Sequence, residues 1–388
     1  MPMIFYYLAV IIILLTYLLI EYSVLSKRLN RIPLRILVNG TRGKSTTVKI
    51  IYEILKENGQ KVFAKTTGEM PIIIDHEGND TKINRYAPAS IIENLKLLRN
   101  ISRKNPDAVI LECMALQSET QHLLAKSIFK PHHTIITNIQ PDHEEVMGKN
   151  IKDNYLTISQ CISDDSIVYL TAETNQKMMA FGISINNTNV VSKYSCNFNL
   201  SNIPIDIVHD NWSLIKTLST DLNIDDNITL EKFKTKWISI DHKIKSDIPD
   251  KNFIVWNLFS VNDIMTLQNI VSFNVDELAK AHDKIFFFNC RMDRPLRTIH
   301  FTEYIISNFP EAEIWLTGDG KRMARHSLVR NNIKTQNIEY VSADDVLNKI
   351  QSGKIKETHL FCIGNYKGME EFNSMVSQLS DIKSEIKS

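Results

Sequence analysis

The stretch Leu34–Thr46, which reads LRILVNGTRGKST, decides the fold of this chain. Its first five residues form a short apolar run that predicts a strand, and Asn39–Gly40 predicts a turn directly after it. From Ser45 to Asn58 the apolar residues recur at helical spacing, so a helix is expected to follow. Glycine is scarce, with 12 in 388 residues, which makes two glycines in one turn informative.

A strand, a glycine-containing turn and a helix in this order are typical of a phosphate-binding loop, because backbone N–H groups at a helix N-terminus attract anions. Lys44 can reach terminal phosphates, and the Ser45 hydroxyl can ligate Mg²⁺. Val38 stands where the longer form of the pattern has a glycine, so this is the shorter form. The alternative is a chance turn. The predicted nucleotide-binding residues are Gly40, Thr41, Arg42, Gly43, Lys44, Ser45 and Thr46.

Further polar residues follow predicted neighbouring strands. Glu112 ends the apolar run AVILE, and Asp142 and His143 follow the run that begins at Thr134. Ligands of open α/β sheets bind beyond the carboxyl ends of the strands, and a carboxylate there is a natural Mg²⁺ ligand. Taken singly, Glu112 could form a salt bridge and His143 could be a turn histidine. Thr67 lies in a loop that would face phosphate or carboxylate, although such turns are common.

Apolar runs and helical stretches alternate along the chain, which predicts α/β architecture with a mostly parallel sheet. The predicted strands are Leu34–Val38, Lys61–Ala64, Ala108–Cys113, Thr134–Ile139 and Ser166–Leu170, and a second series is Asn252–Leu258, Lys284–Cys290, Glu313–Thr317, Ile338–Val341 and His359–Ile363. Helices are expected near Pro88–Arg103 and Ile151–Ile162. We place a domain boundary near residue 250, which gives an anchor at 1–25 and domains at 26–250 and 251–388.

The N-terminus contains an apolar segment, Met3–Ile20, that has no charged residue. It is long enough to cross a bilayer core as a helix. Lys27, Arg28, Arg31 and Arg35 follow, so the positive-inside bias places the rest of the chain in the cytoplasm. A cleaved signal peptide and a buried core helix are the alternatives. A signal peptide requires a basic region before the apolar segment and a cleavage site with small residues after it. The sequence shows neither feature here.

Composition excludes several classes of protein. Lys and Arg total 45 against 44 for Asp and Glu, so no bulk charge favours nucleic acid. The five cysteines include no C-x-x-C pair, which disfavours a disulfide framework or a zinc site. Cys113, Cys290 and Cys362 lie in apolar runs and are expected in the core.

GTRGKST at 40–46, the strand-end Glu112 and TNIQPDH at 137–143 resemble the Mur ligase family of ADP-forming amide ligases. Further segments resemble the poly-γ-glutamate synthase branch of that family: KTTG at 65–68, ECMA at 112–115, TNIQPDHEEVMG at 137–148, NCRMDRP at 289–295 and GNYKG at 364–368. The resemblance covers the chain from residue 3 to about residue 370, with 175–250 as the weak stretch.

The resemblance implies a central ATPase domain and a C-terminal Rossmann-like domain that closes over ATP. It implies that Lys44 binds the β- and γ-phosphates, that Ser45 and Glu112 hold Mg²⁺ together with His143, and that Asn262 contacts the nucleotide. Arg291 and Arg294 follow the predicted strand Lys284–Cys290 and would meet an acidic substrate or phosphate, unless that loop is only solvated. The residues that hold adenosine, and a carbamylated lysine found in many relatives, remain unassigned.

The implied activity is ligation of glutamate through its γ-carboxyl group at the cytoplasmic membrane face, through an acyl phosphate. The implied partners are glutamate, the growing polymer, further membrane subunits and a second copy of this chain. A ligase with a folate or cell-wall acceptor is one alternative. A membrane-anchored ATPase that powers export or assembly is the other, because a phosphate loop alone permits it.

Overall fold

The computed structural model describes residues 2–67, 71–83, 90–141, 144–148, 150–191, 205–238, 243–245, 254–259, 261, 264–274, 283–352, 358–366, 368–369 and 371–376. Contacts between residues divide the chain into two compact units, and the last point at which the chain passes from the first to the second is Trp237–Ile238. Among the described residues, the first unit contains an eight-stranded sheet and the second a six-stranded sheet. The domain boundary near residue 250 stays a prediction.

The sheet of the first unit is parallel except at one edge. Its strands are β1 (Leu34–Asn39), β2 (Val62–Thr66), β3 (Ile72–Ile74), β4 (Asp80–Lys82), β5 (Ala108–Glu112), β6 (His133–Ile136), β7 (Ile167–Thr171) and β8 (Thr188–Val191). The spatial order is β4-β3-β2-β5-β1-β6-β7-β8, with β3 and β4 antiparallel. Because β1 lies between β5 and β6, the carboxyl ends of these three strands are neighbours.

The helices of the first unit precede, connect and follow these strands. They are α1 (Pro2–Leu29), α2 (Lys44–Glu57), α3 (Ile92–Ile101), α4 (Ser118–Leu123), α5 (Glu144–Met147), α6 (Ile151–Ser159), α7 (Ala172–Ala180), α8 (Ile205–Asp221) and α9 (Asp226–Ile238). One turn of 3₁₀ helix follows α3 at Ser102–Lys104, and a π-helical segment follows α4 at Leu124–Phe129. The predicted helix Ser45–Asn58 is confirmed as α2, whose apolar stripe, including Val48, Ile51 and Leu55, is buried.

The second unit repeats the α/β pattern. Its strands are β9 (Lys243–Lys245), β10 (Ile254–Asn257), β11 (Asp283–Asn289), β12 (Glu313–Thr317), β13 (Ile338–Tyr340) and β14 (Thr358–Gly364), and its helices are α10 (Ile264–Phe273), α11 (Pro295–Asn308), α12 (Lys321–Arg330) and α13 (Ala343–Gln351). The order is β13-β12-β11-β14-β10-β9, with only β9 antiparallel. Phe286 and Phe288 enter one core cluster and Phe287 the other, as the two-residue period of a strand requires.

α1 is the candidate membrane span. Its segment Phe5–Leu29 is long and apolar enough to cross a membrane by length and composition, with a mean hydropathy of 2.4 and no part of the scored window buried. The sequence suggested that Arg35 is one of the exposed charges that flank the span. In the structure Arg35 is buried. Its guanidinium donates to the carbonyl oxygens of Leu29, Ile32 and Lys130 at 2.8–2.9 Å. Arg35 therefore ties the carboxyl end of α1, at Leu29, to the segment that leads into β1 and to Lys130.

The structure adds elements that the sequence did not predict. The edge strands β3 and β4, with β8 and β9, were not expected. The predicted strand Thr134–Ile139 ends earlier, at Ile136, because the following residues turn toward the loop after β1. Cys113, Cys290 and Cys362 are buried and unbridged, as expected.

Candidate functional site

The turn between β1 and α2 depends on its two glycines. Gly40 has a φ of +126° and Gly43 of +80°, a backbone region that side-chain-bearing residues rarely adopt. A Cβ atom on Gly40 would lie 2.3 Å from Thr137 Oγ1 and 2.8 Å from the carbonyl oxygen of Asn138. α2 begins at Lys44, directly after the turn. The N–H groups of a first helical turn and the helix dipole both favour an anion, so the turn fits a phosphate.

Lys44 lies against this turn. Its Nζ donates to the carbonyl oxygen of Gly40 at 2.6 Å and to that of Thr41 at 3.2 Å. Thr46 is in the first turn of α2, where it is half-buried, as are Arg42 and Ser45. The structure thus places the seven predicted residues in the turn after β1 and in the first turn of α2, and the Lys44 ammonium group bonds two of them.

Asn138, which follows β6, holds the turn from the side. Its Oδ1 accepts from Thr41 Oγ1 at 2.7 Å and from the Arg42 N–H at 3.0 Å. Its Nδ2 donates to the Arg42 carbonyl oxygen at 3.1 Å, and its own carbonyl accepts from the Thr41 N–H at 2.9 Å. Asn138 is part of the TNIQPDH segment, but no role was predicted for it from the sequence.

A second set of hydrogen bonds ties the neighbouring strand ends together. Thr137 N–H donates to the Asn39 carbonyl at 3.0 Å, and Thr137 Oγ1 donates to the Arg42 carbonyl at 2.6 Å. Asn39 Oδ1 accepts from the Gly40 N–H at 2.8 Å, while its Nδ2 donates to Gln121 Oε1 at 2.8 Å. The loop is therefore braced on both sides before any ligand binds.

Glu112 joins three segments at the carboxyl end of β5. Its Oε2 accepts from Ser45 Oγ at 2.7 Å and from the backbone N–H of Thr67 at 2.8 Å. Glu112 is buried, with 3% of its surface exposed. The structure thus brings Ser45 into direct contact with Glu112, and Thr67 contributes a backbone donor; a Mg²⁺ shared by Ser45 and Glu112 stays a prediction.

These oxygens fit a hard divalent cation. A hydroxyl and a carboxylate at 2.7 Å, beside a phosphate loop, form the kind of oxygen donor set that Mg²⁺ takes together with phosphate oxygens and water. Within the described ranges, no group of three or more His, Cys, Asp or Glu side chains could hold a metal by itself. His143, the third predicted ligand, lies outside the described residues, as does Asn262.

A buried lysine lies next to this arrangement and was not predicted. Lys65, on β2, is fully buried. Its Nζ is 2.6 Å from Glu93 Oε1 and donates to Asn94 Oδ1 at 2.6 Å, both on α3. The available signal was a lysine inside the otherwise apolar strand KVFAK at 61–65. The cluster ties the end of β2, from which Thr67 follows, to α3.

In the second unit, the predicted arginines lie in the loop after β11. Arg291 pairs with Asp293, with a distance of 2.8 Å from its Nε to Oδ1. Arg294 is the residue directly before α11, which has Pro295 at its start. Arg297 donates to Asn365 Oδ1 at 2.9 Å. The structure therefore places Arg291 and Arg294 on one short loop, and their substrate contact stays a prediction.

Comparison with known proteins identifies the family. The Mur ligase middle domain model matches residues 38–249, which is more than half of the chain. The chain belongs to the Mur ligase family. The model of the poly-γ-glutamate synthase CapB C-terminal domain matches residues 244–379, which confirms the resemblance to that branch of the family.

Two curated proteins are similar over most of this Mur ligase. PGA synthase CapB of Bacillus subtilis (strain 168) is 24% identical over 368 residues, covering 89% of this chain and 90% of that protein. Capsule biosynthesis protein CapB of Bacillus anthracis is 24% identical over 370 residues, covering 89% of this chain and 76% of that protein.

Solved structures share the fold of this Mur ligase. Escherichia coli FolC in complex with ADP has a TM-score of 0.62 at 12% identity and covers 95% of both chains. A bifunctional folylpolyglutamate synthase/dihydrofolate synthase from Yersinia pestis, complexed with AMPPNP and Mn, has a TM-score of 0.61 at 12% identity and covers 94% of this chain and 92% of that one. The α/β Mur-ligase fold is thereby confirmed, and the family makes the protein an ATP-dependent ligase.

Proposed function

We propose that this Mur ligase polymerises glutamate through γ-carboxyl amide bonds, with ATP as the energy source and ADP as a product. The observation that carries the proposal is the 2.7 Å contact between Ser45 Oγ and Glu112 Oε2 at the phosphate loop. It supports a divalent cation beside bound ATP in a chain whose C-terminal part matches the CapB family. The substrate class is supported by the Bacillus relatives rather than by the loop.

In this proposal the residues 40–46 bind the phosphates of ATP, and Lys44 balances charge on the β- and γ-phosphates. Ser45, Glu112 and His143 would hold Mg²⁺, which supplies charge stabilisation at the transferring phosphoryl group. Asn262 would contact the nucleotide from the C-terminal domain, residues 251–388, and residues 26–250 would form the ATP-binding domain. Glu112 is already oriented by Ser45 and Thr67, so little reorganisation is needed when charge develops.

The proposed chemistry has two steps. A γ-carboxylate oxygen attacks the γ-phosphorus of ATP, the bond to the β-phosphate oxygen breaks, and ADP leaves an acyl phosphate. The amine of the next glutamate then attacks the acyl carbon, phosphate leaves, and the amine loses a proton as the amide forms. A carboxylate needs this activation because oxide is a poor leaving group. Thr67, Arg291 and Arg294 are the proposed contacts of the acidic substrate.

We further propose that α1 anchors the enzyme as a single-pass helix with the ligase in the cytoplasm. Because Arg35 is buried, it does not count among the charges that flank the span. This orientation is supported by the other three flanking charges, Lys27, Arg28 and Arg31. Further membrane subunits and a second copy of the chain are proposed partners, because an anchored synthase whose product is exported requires a membrane path.

The test uses membranes that carry this protein with its native partner subunits, supplied with Mg²⁺-ATP and labelled glutamate. We expect glutamate-dependent ADP release and acid-insoluble label, both lost in Lys44→Ala. Glu112→Gln should raise the Mg²⁺ concentration needed for half-maximal rate, because the carboxylate charge is removed and the side-chain shape is kept.

ADP release that ignores glutamate but needs Lys44 would replace the proposal with an ATPase that powers export or assembly. AMP and pyrophosphate as products would overturn the acyl-phosphate route. A folate or peptide acceptor used in place of glutamate would move the enzyme to another branch of the Mur ligases.

A further inference from the structure

A groove in the second unit is lined by residues of α12 and by the end of strand β13. It encloses about 500 Å³ and is lined by Arg322, Arg325, His326, Val329, Arg330 and Tyr340. None of these residues belongs to the set assigned to ATP, Mg²⁺ or glutamate above. The proposed function therefore assigns no ligand to this groove.

The charge of this groove is local and uncompensated. α12 carries four Lys and Arg residues and no acid, whereas the whole chain has a net charge of +1. Arg322, His326 and Arg330 recur every four residues, so their side chains share one helix face. In the part of the chain that the structure describes, no hydrogen bond or ion pair engages Arg322, Arg325, His326 or Arg330. All four are exposed.

Nearby cations behave differently. Lys349 pairs with Glu339 on β13 at 2.6 Å, and Lys334 pairs with Glu311 at 3.2 Å. Surface cations in this unit thus find acidic partners when these are available. The basic side of the groove instead presents several positive charges to solvent, which fits an anionic ligand that carries more than one charge.

The opposite wall offers a different kind of contact. β13 is the last strand in the order of its sheet, so among the described strands it pairs on one side only, with β12. A strand edge presents backbone N–H and C=O groups, which bind extended amide chains. Tyr340, at the end of β13, is 46% exposed and lies under Lys321, whose Nζ is 5.5 Å from the ring centroid.

We propose that this groove binds the growing γ-glutamate chain. Such a chain has an amide backbone for the strand edge and one free carboxylate per residue for the arginines. Cations four residues apart on a helix are separated by about 6 Å along its axis, which suits a ligand with regularly repeated charges. The inference rests on the proposed function, because it takes its ligand from the proposed product. Its role would be to retain the product between additions.

The binding test uses the full-length chain in non-ionic detergent and a fluorescein-labelled decamer of γ-linked glutamate. The groove variant is Arg322→Gln/Arg325→Gln/Arg330→Gln. The matched control, Lys96→Gln/Arg99→Gln/Arg103→Gln, removes three exposed cations at similar spacing near α3 of the first unit. We expect the groove variant to lose about tenfold in affinity by fluorescence anisotropy, and the control less than twofold. Added salt should weaken the wild type more than the groove variant.

A second readout is polymer length in the membrane assay. The groove variant should release ADP at the wild-type rate for the first additions and give shorter polymer, because it loses the product sooner. Equal decamer affinity and equal polymer length in groove variant and wild type would overturn the inference. The inference would also be overturned if the groove variant kept its affinity for the decamer and lost affinity only for detergent micelles that contain phosphatidylglycerol. That result would assign this face to the membrane. A wild type that binds the decamer but makes no polymer would instead contradict the proposed function.

Discussion

The side-chain amide of Asn138 bonds to both backbone groups of Arg42. Its Oδ1 accepts from the Arg42 N–H at 3.0 Å, and its Nδ2 donates to the Arg42 carbonyl oxygen at 3.1 Å. A single side chain thereby fixes the orientation of the two peptide units on either side of Arg42 in the phosphate loop. Since backbone N–H groups are what such a loop offers to a ligand, Asn138 controls where they point.

Asn138→Asp should weaken ATP binding without unfolding the protein. The substitution keeps an acceptor for Thr41 and Arg42 but removes the donor to the Arg42 carbonyl, and it adds negative charge beside a loop built for anions. We expect the KM for ATP to rise by about fivefold to 150-fold, since leaving a polar group without its hydrogen bond costs about 1–3 kcal/mol. Asn175→Asp, a change of the same kind on α7, is the control. An unchanged KM would contradict the role of Asn138.

Gly40→Ala should abolish nucleotide binding, while Gly59→Ala should not. Both glycines have positive φ, +126° and +81°. A Cβ on Gly40 would lie 2.3 Å from Thr137 Oγ1, whereas one on Gly59 would have nothing within 4 Å. Both substitutions therefore introduce backbone strain of about 1 kcal/mol, but only Gly40→Ala also displaces the loop. Isothermal titration with ATP and thermal melting separate the two effects. Equal ATP affinity in both variants would refute the steric argument.

Arg294→Ala should weaken glutamate use more than ATP binding. The residue precedes α11 and follows Arg291 on the same loop, and arginine is suited to carboxylate recognition. We expect the KM for glutamate to rise about tenfold or more and the KM for ATP to change less than threefold. Lys334→Ala, which removes an exposed cation of the same unit, is the control. Equal loss for both substrates would withdraw the assignment.

Lys65→Met should destabilise the first unit strongly. It takes a fully buried cation away from Glu93 and Asn94, and breaking a buried pair costs about 3–5 kcal/mol. Lys177→Met breaks an ion pair of the same 2.6 Å length on the surface and should cost about 1 kcal/mol or less. Urea unfolding of the two variants measures the difference. The double variant Lys65→Met/Glu93→Gln should recover part of the loss, and a cost no larger than that of Lys177→Met would contradict the prediction.

His132 should make the protein less stable as the pH falls from about 6.5 to about 4. Burial, followed by the charges of Arg35 and His133, lowers the pKa of His132 to about 4. Its Nδ1 also accepts from the Arg35 N–H at 3.2 Å, which requires the neutral ring. An unfolded histidine takes up its proton near pH 6.5, so between these values the unfolded state binds more protons and the free energy of unfolding falls.

The measurement is urea unfolding at several pH values, with His132→Gln compared with wild type. The variant should show a shallower decline across this window, whereas His122→Gln, an exposed change on α4, should keep the wild-type slope. His133 titrates nearby, with its pKa lowered by burial and raised by Asp221, so part of the decline remains in the variant. Identical slopes for His132→Gln and wild type would contradict the prediction.

The parts of the fold that were predictable from sequence are those encoded locally. The long buried strands are mostly apolar runs, and α2 has its apolar stripe and its preceding glycines in one stretch. The edge strands β3 and β4 are only three residues long, and β4 is fully exposed, so no hydrophobic pattern marks it. Short edges are fixed by their pairing partners rather than by their own composition.

The same distinction applies to the candidate site. Lys44 and Ser45 were predictable because a local pattern contains the chemistry. The contact between Ser45 and Glu112 joins residues 67 positions apart and was expected only through strand order. Asn138 and Arg42 are 96 positions apart, and an asparagine in a turn has no pattern that reveals such a partner. The burial of Lys65 likewise depends on α3, which packs against β2 only in the folded chain.

The two bonds from Lys44 to the carbonyl oxygens of Gly40 and Thr41 have a consequence for affinity. These two carbonyl oxygens compete with phosphate for the Lys44 ammonium group. The binding free energy that phosphate gains from Lys44 is therefore only the difference between the new contact and the two hydrogen bonds that it replaces. This exchange favours a triphosphate over a diphosphate, because the ligand with the larger negative charge competes better with the two carbonyl oxygens for Lys44. It would therefore speed the departure of the spent nucleotide after each round.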